Sequence, residues 1–165
     1  MPKKEEKRVI KAVERSKVNL SLLGICFSLF TFIIAINSSI LQDNFLLALE
    51  LTISIPLFLS SVFANSKLAY AKKPEMWRKF GFATYLVGYG FLINVIGMLL
   101  SSFVSVKISI IFFALNIITA LTYSFLEVIE DRKKLKSRIC KDLFFILLLV
   151  IFGILPSLGV WGLHF

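Results

Sequence analysis

Along this chain, charged positions are swept out of long stretches instead of alternating with apolar ones. No Asp, Glu, Lys or Arg occurs within Val18–Gln42, Phe80–Val106, Ile108–Leu126 or Leu143–Phe165. A run of about 20 such residues is what a helix needs to cross a bilayer core. The pattern predicts an all-α fold, a polytopic transmembrane helix bundle with spans at about 18–37, 45–64, 82–102, 108–126 and 143–162. Residues 1–17 form a basic segment ahead of this transmembrane domain, which takes in 18–165. Residues 80–126 cannot be one span, because a single helix of that length would reach about 70 Å. Ser101, Ser102, Ser105 and Lys107 mark the expected turn. A competing reading has four spans, with 45–64 re-entrant because it contains Glu50 and Pro56.

Helix-start signals fit five spans. Pro74 followed by Glu75 suits a first helical turn, where proline forfeits no hydrogen bond and an acid meets the positive end of the dipole. The third helix is therefore expected to begin ahead of its span. Trp77, Arg78 and Lys79 then stand at lipid-headgroup depth, and Trp161 marks the opposite interface. The fourth helix is expected to run past Leu126, with Glu130 and Asp131 spaced to pair with Lys134. In the amino-terminal segment, Val9, Ile10 and Val13 would share one helical face against Lys7, Lys11 and Arg15. That face reads either as an interfacial helix or as a solvated tail that sets topology; three apolar residues bury little, which favours the tail. The apolar stretch is too long for a signal peptide, and no small-x-small cleavage site follows it.

Composition sharpens the class. Apolar residues make up 58% of the 165, and 17 are Phe. This excludes a water-soluble fold and a disulfide scaffold. The net charge of +9 would suit nucleic acid if it formed one surface, but it falls in three clusters between pairs of apolar segments. Lys3–Lys17, Lys67–Lys79 and Arg132–Lys141 hold all the Lys and Arg except Lys107. The positive-inside rule therefore predicts a cytoplasmic amino terminus and an outside carboxyl terminus. Without an organelle-targeting signal, the expected location is a bacterial or archaeal plasma membrane, and no nucleic-acid partner is expected.

Lipid does not drive apolar helices together, so small and hydrogen-bonding residues mark packing faces. Span one carries such a stripe at Ser21, Gly24, Ser28, Thr31 and Ala35. Span three carries Ala83, Gly90, Asn94, Gly97 and Ser101; span four carries Ser109, Asn116, Ala120, Tyr123 and Glu127. Span five, large and apolar through Leu143–Phe152, reads as mostly lipid-facing, with a bend allowed by Gly153 and Pro156. No inverted repeat relates its halves, which weakens a self-contained carrier. A homo-oligomer could supply symmetry.

Glu50 is the residue most suggestive of chemistry. A carboxyl about 8–9 Å inside a span is costly unless protonated, paired or wet. Ser54 and Ser61 continue its face, and Pro56 frees the Thr52 carbonyl, so this helix either lines an ion path or holds a structural carboxylic acid. Lys107 is the one base on the same side and a possible partner. Asn94 and Asn116 fall at matching depths and are expected to pair, as register-setting glue or, alternatively, with Glu50 and Ser54 along a ligand pathway. Tyr85, Tyr89 and Tyr123 are expected to join Glu127 in a polar network toward the inner face.

The inventory removes other chemistries. His164 is the single histidine, so no paired-His haem or His-rich metal site is expected. Cys26 and Cys140 lie far apart, and no Cys-x-x-Cys, P-loop, dinucleotide fingerprint or Gly-x-Ser-x-Gly occurs. No cofactor, metal or catalytic residue is expected. Three functions stay in view. The first is a non-catalytic subunit or assembly partner, in contact with membrane lipid and with copies of itself or other membrane subunits. The second is an oligomeric channel or transporter using Glu50. The third is a lipid-active enzyme near Trp77, Arg78, Lys79 and Tyr123.

Overall fold

The computed structural model describes residues 3–37, 39–68, 70–130, 132 and 135–160. Among them every long element is a helix. These are α1 (Lys3–Asn37), α2 (Ser39–Asp43), α3 (Phe45–Leu68), α4 (Pro74–Phe103), α5 (Val106–Glu130), α6 (Leu135–Leu149), a π-helical segment (Val150–Ile154) and α7 (Leu155–Ser157). Five stretches are long and apolar enough to cross a membrane: Val9–Ile36, Phe45–Leu68, Pro74–Phe103, Val106–Ile129 and Leu135–Ser157. The chain is thus an all-helical, multi-pass membrane protein. Residues 45–64, which could have been re-entrant, belong to one uninterrupted helix through Pro56. Trp161, His164 and the Lys134 partner expected for Glu130 and Asp131 lie outside the described residues.

α1, α4 and α6 begin ahead of their charge-free runs, and α5 extends beyond its run at both ends. α1 has 35 residues, and residues 3–17 continue into the first span without a break. α4 begins at Pro74, as the proline and Glu75 dictate, and Glu75 pairs with Arg78 at 2.6 Å. Trp77 meets Phe80 edge-on, with ring centroids 6.4 Å apart.

The chain divides into two compact units, Met1–Leu92 and Ile93–Phe165. In the first, α1 and α3 form an antiparallel pair held by a seven-residue rhythm. Ala12, Asn19, Cys26 and Ile33 are buried on α1, and Leu47, Ser54, Ser61 and Leu68 on α3. Asn19 bonds Ser61 at 2.7 Å and Cys26 meets Ser54 at 3.4 Å. Continued in both directions, that register sets Ala12 against Leu68 and Ile33 against Leu47. A strict seven-residue repeat keeps one seam facing its partner, as in a coiled coil. A second row on α3, Leu57 and Ala64, receives Gly88 and Gly81 of α4. A Cβ at Gly81 would stand 2.9 Å from the Ala64 Cβ, so only glycine permits this approach.

The seam corrects one expectation. Ser21, Gly24, Ser28, Thr31 and Ala35 do not face α3; within the first unit all five are exposed. The opposite side of α1 packs instead, because its Asn19 and Cys26 have hydrogen-bonding partners on α3.

In the second unit the Phe113 ring is fully buried between two glycines. It lies where Cβ atoms at Gly97 of α4 and Gly153 of the π-helical segment would go. Ser109 Oγ donates to the Gly97 carbonyl at 2.8 Å, and Ser101 Oγ to the Ser157 carbonyl at 3.2 Å. The bend allowed by Gly153 and Pro156 takes the form of a change in helical register, in which the Leu155 N–H reaches the Val150 carbonyl. Within the second unit, span five is exposed on the side of Leu143, Phe144, Leu147, Ile151 and Phe152. Its other side buries Phe145, Leu148, Leu149, Gly153, Pro156 and Ser157.

Candidate functional site

A polar junction of the first unit lies where α4 leaves its basic lead-in and joins the α1/α3 pair. Ser61 Oγ accepts a hydrogen bond from Asn19 Nδ2 and donates one to the Gly81 carbonyl, each at 2.7 Å. One hydroxyl thereby links three helices. Thr84 Oγ1, one turn on, shares the Gly81 carbonyl at 3.2 Å. Buried polar groups in an apolar setting need such partners, and this relay supplies them locally.

Beside the relay opens a pocket of about 300 Å³. α1 contributes Glu14, Arg15 and Asn19; α3 contributes Asn65; α4 contributes Phe82 and Tyr85. Glu14 and Arg15 are exposed, whereas Asn19 and Asn65 are buried. Tyr85 stacks on Tyr89, with ring centroids 5.8 Å apart. The sequence reading named Tyr85 and Ser61 but missed Asn19, Asn65 and the pocket itself. The signal was present: Asn19 and Ser61 stand in the seven-residue rows of α1 and α3.

Glu50 and Ser54 are also buried, at 1% and 0% exposure. Ser54 Oγ donates to the Leu51 carbonyl at 2.8 Å, and Cys26 Sγ is its contact across the seam. Glu50 starts the α3 row that continues through Leu57 and Ala64. Along α3 it stands eleven residues before Ser61, about 16 Å away.

The second unit places the remaining candidates. Asn94 is fully buried, and its Nδ2 donates to the Leu148 carbonyl at a long 3.5 Å. Asn116 Nδ2 donates to the Phe112 carbonyl of its own helix at 2.9 Å. The expected Asn94–Asn116 bond is therefore not formed; Asn94 is engaged by the turn around Leu148 and Gly153, not by α5. Tyr123 donates to Glu127 Oε1 at 3.1 Å, Glu127 forms an ion pair with Arg138, and Arg138 lies over the Tyr123 ring. Ser124 Oγ donates to Asp142 at 2.7 Å and ties α5 to α6. Tyr123 and Glu127 thus belong to an α5–α6 cluster with Arg138, while Tyr85 and Tyr89 stack within α4. Trp77, Arg78 and Lys79 sit on the first two turns of α4, with Arg78 and Lys79 exposed. No group of three or more His, Cys, Asp or Glu with metal-holding geometry occurs among the described residues. Compared with family models, curated proteins and solved structures, the chain matches none.

Proposed function

We propose that this protein is a non-catalytic membrane subunit that binds another transmembrane helix along α1, with its amino terminus in the cytoplasm and its carboxyl terminus outside. The observation that carries this reading is the face Ser21, Gly24, Ser28, Thr31 and Ala35, which the packing of the first unit leaves open. Apart from its chain neighbours and its own helix backbone, nothing described stands within 4 Å of where a Gly24 Cβ would be. Ser21 and Ser28 return their hydroxyls to the carbonyls of Lys17 and Gly24, so the face is smooth and internally satisfied. In lipid such a face favours close helix approach, since packing and not water exclusion drives association. The partner is a second copy of this chain or another membrane subunit.

Transport past Glu50 has less behind it. Glu50 and Ser54 lie on the buried side of α3, far along the helix from the pocket at Asn65.

Extraction in mild detergent, followed by mass measurement of the intact complex, tests the subunit reading. The expected species contains at least one partner chain, and Gly24→Leu releases the monomer. Recovery of wild type as a lone chain in lipid nanodiscs would refute it.

A further inference from the structure

The pocket beside Ser61 straddles a chemical border. The charge-free runs of α1 and α4 begin at Val18 and Phe80, so the pocket has Glu14 and Arg15 on its charged side and Phe82 on its apolar side. Among the described residues, neither Glu14 nor Arg15 is committed to an ion pair. Asn65 is only 6% exposed, lines the pocket, and has no hydrogen-bond partner among the described residues. Its amide is thus free to bond to whatever occupies the pocket. The volume of about 300 Å³ is at the lower end of small-molecule sites, large enough for a polar head and not for a whole lipid.

We propose that this pocket binds a phosphoethanolamine head group, presented by a phospholipid of the surrounding bilayer. Arg15 meets the phosphate, and Glu14 together with the Asn65 carbonyl accepts from the primary ammonium. An acid and a base side by side select a zwitterion over a purely anionic head. A choline head carries no N–H and leaves the Asn65 carbonyl unmatched. Phe82 faces the start of the acyl chains, which continue into lipid. The site does not depend on what α1 docks against.

Native mass spectrometry of the full-length protein tests this with equal amounts of phosphatidylethanolamine, phosphatidylcholine and phosphatidylglycerol of matched chains. The expected result is retention of the ethanolamine lipid by about five-fold or more over each of the others, the size of one net hydrogen bond to the ammonium. Arg15→Gln, a change at an exposed position, and Asn65→Leu each bring the three lipids close to parity. Lys107→Gln, remote in the sequence from the pocket, keeps the preference. A second arm adds free phosphoethanolamine at matched concentration. Failure to displace the lipid supports the bilayer as the source; displacement overturns the lipid assignment and leaves a soluble zwitterion as ligand. Parity among the three lipids in wild type, a preference for phosphatidylglycerol, or a preference unchanged in both variants would overturn the site.

Discussion

Ser61 joins α1 and α4 to α3 through a single hydroxyl, accepting from Asn19 and donating to the Gly81 carbonyl. In membranes an interhelical side-chain bond of this kind is worth about 0.6 kcal/mol on average and up to about 1.7. A double-mutant cycle with Asn19→Ala and Ser61→Ala, read by reversible unfolding in detergent micelles, should return a coupling of that size. Additive losses would mean that the pair is independent. The glycines differ sharply from one another. A Cβ at Gly153 would lie 2.4 Å from Asn94 Oδ1 and 2.6 Å from the Phe113 ring, whereas Gly24 has open space around it. Gly153→Ala should therefore destabilise by about 1–3 kcal/mol through overpacking, and Gly24→Ala should be nearly silent. Thermal unfolding of the two variants side by side checks this contrast. The row containing Gly97 was legible from sequence spacing, but the ring that fills it was not. Phe113 is one of 17 phenylalanines, and nothing local sets it apart from Phe112 beside it. The same limit explains Asn94 and Asn116. Matched depth is a statement about level alone; which way each side chain turns depends on neighbours such as Leu148 and Gly153.

At the scale of elements, the helices themselves were readable because charge-free length is a strong signal in lipid. α4 starts at Pro74, ahead of its span, for the reason its sequence announces. The packing face of α1 was not readable from small residues alone. Both sides of the helix carry them, and the choice is made by α3, whose Leu47, Ser54, Ser61 and Leu68 repeat every seven residues in phase with Ala12, Asn19, Cys26 and Ile33. The phase between two segments is a property of the pair. The open side makes a separate prediction. Gly24→Leu and Ser28→Leu should leave helix content and thermal stability of the isolated chain within about 0.5 kcal/mol of wild type, because no contact within the first unit is lost. Together they should abolish association in cross-linking from native membranes. A drop in monomer stability would place this face inside the fold. The π-helical segment also had a sequence signal, Gly153 and Pro156 close together, yet a bend and a register change look alike in one dimension.

For the whole molecule, the proposed orientation rests on its cations. The clusters Lys3–Lys17, Lys67–Lys79 and Arg132–Lys141 contain 18 of the 19 Lys and Arg, and five crossings put all of them on one side. Moving charge should move topology: adding three Lys between Ser38 and Asn44 while neutralising Lys67, Lys72 and Lys73 is expected to produce a mixed orientation, readable by protease protection of a carboxyl-terminal tag. The natural cysteines allow the most direct test. Cys140 is exposed near the start of α6, and Cys26 is buried in the α1/α3 seam. One span, α5, separates Cys140 from Lys107. A membrane-impermeant maleimide applied to intact cells carrying Lys107→Cys should label position 107 and spare Cys140 until the membrane is opened. Labelling of Cys140 alone in intact cells would contradict the proposed orientation, and labelling of both positions from the same side would contradict the five-crossing arrangement.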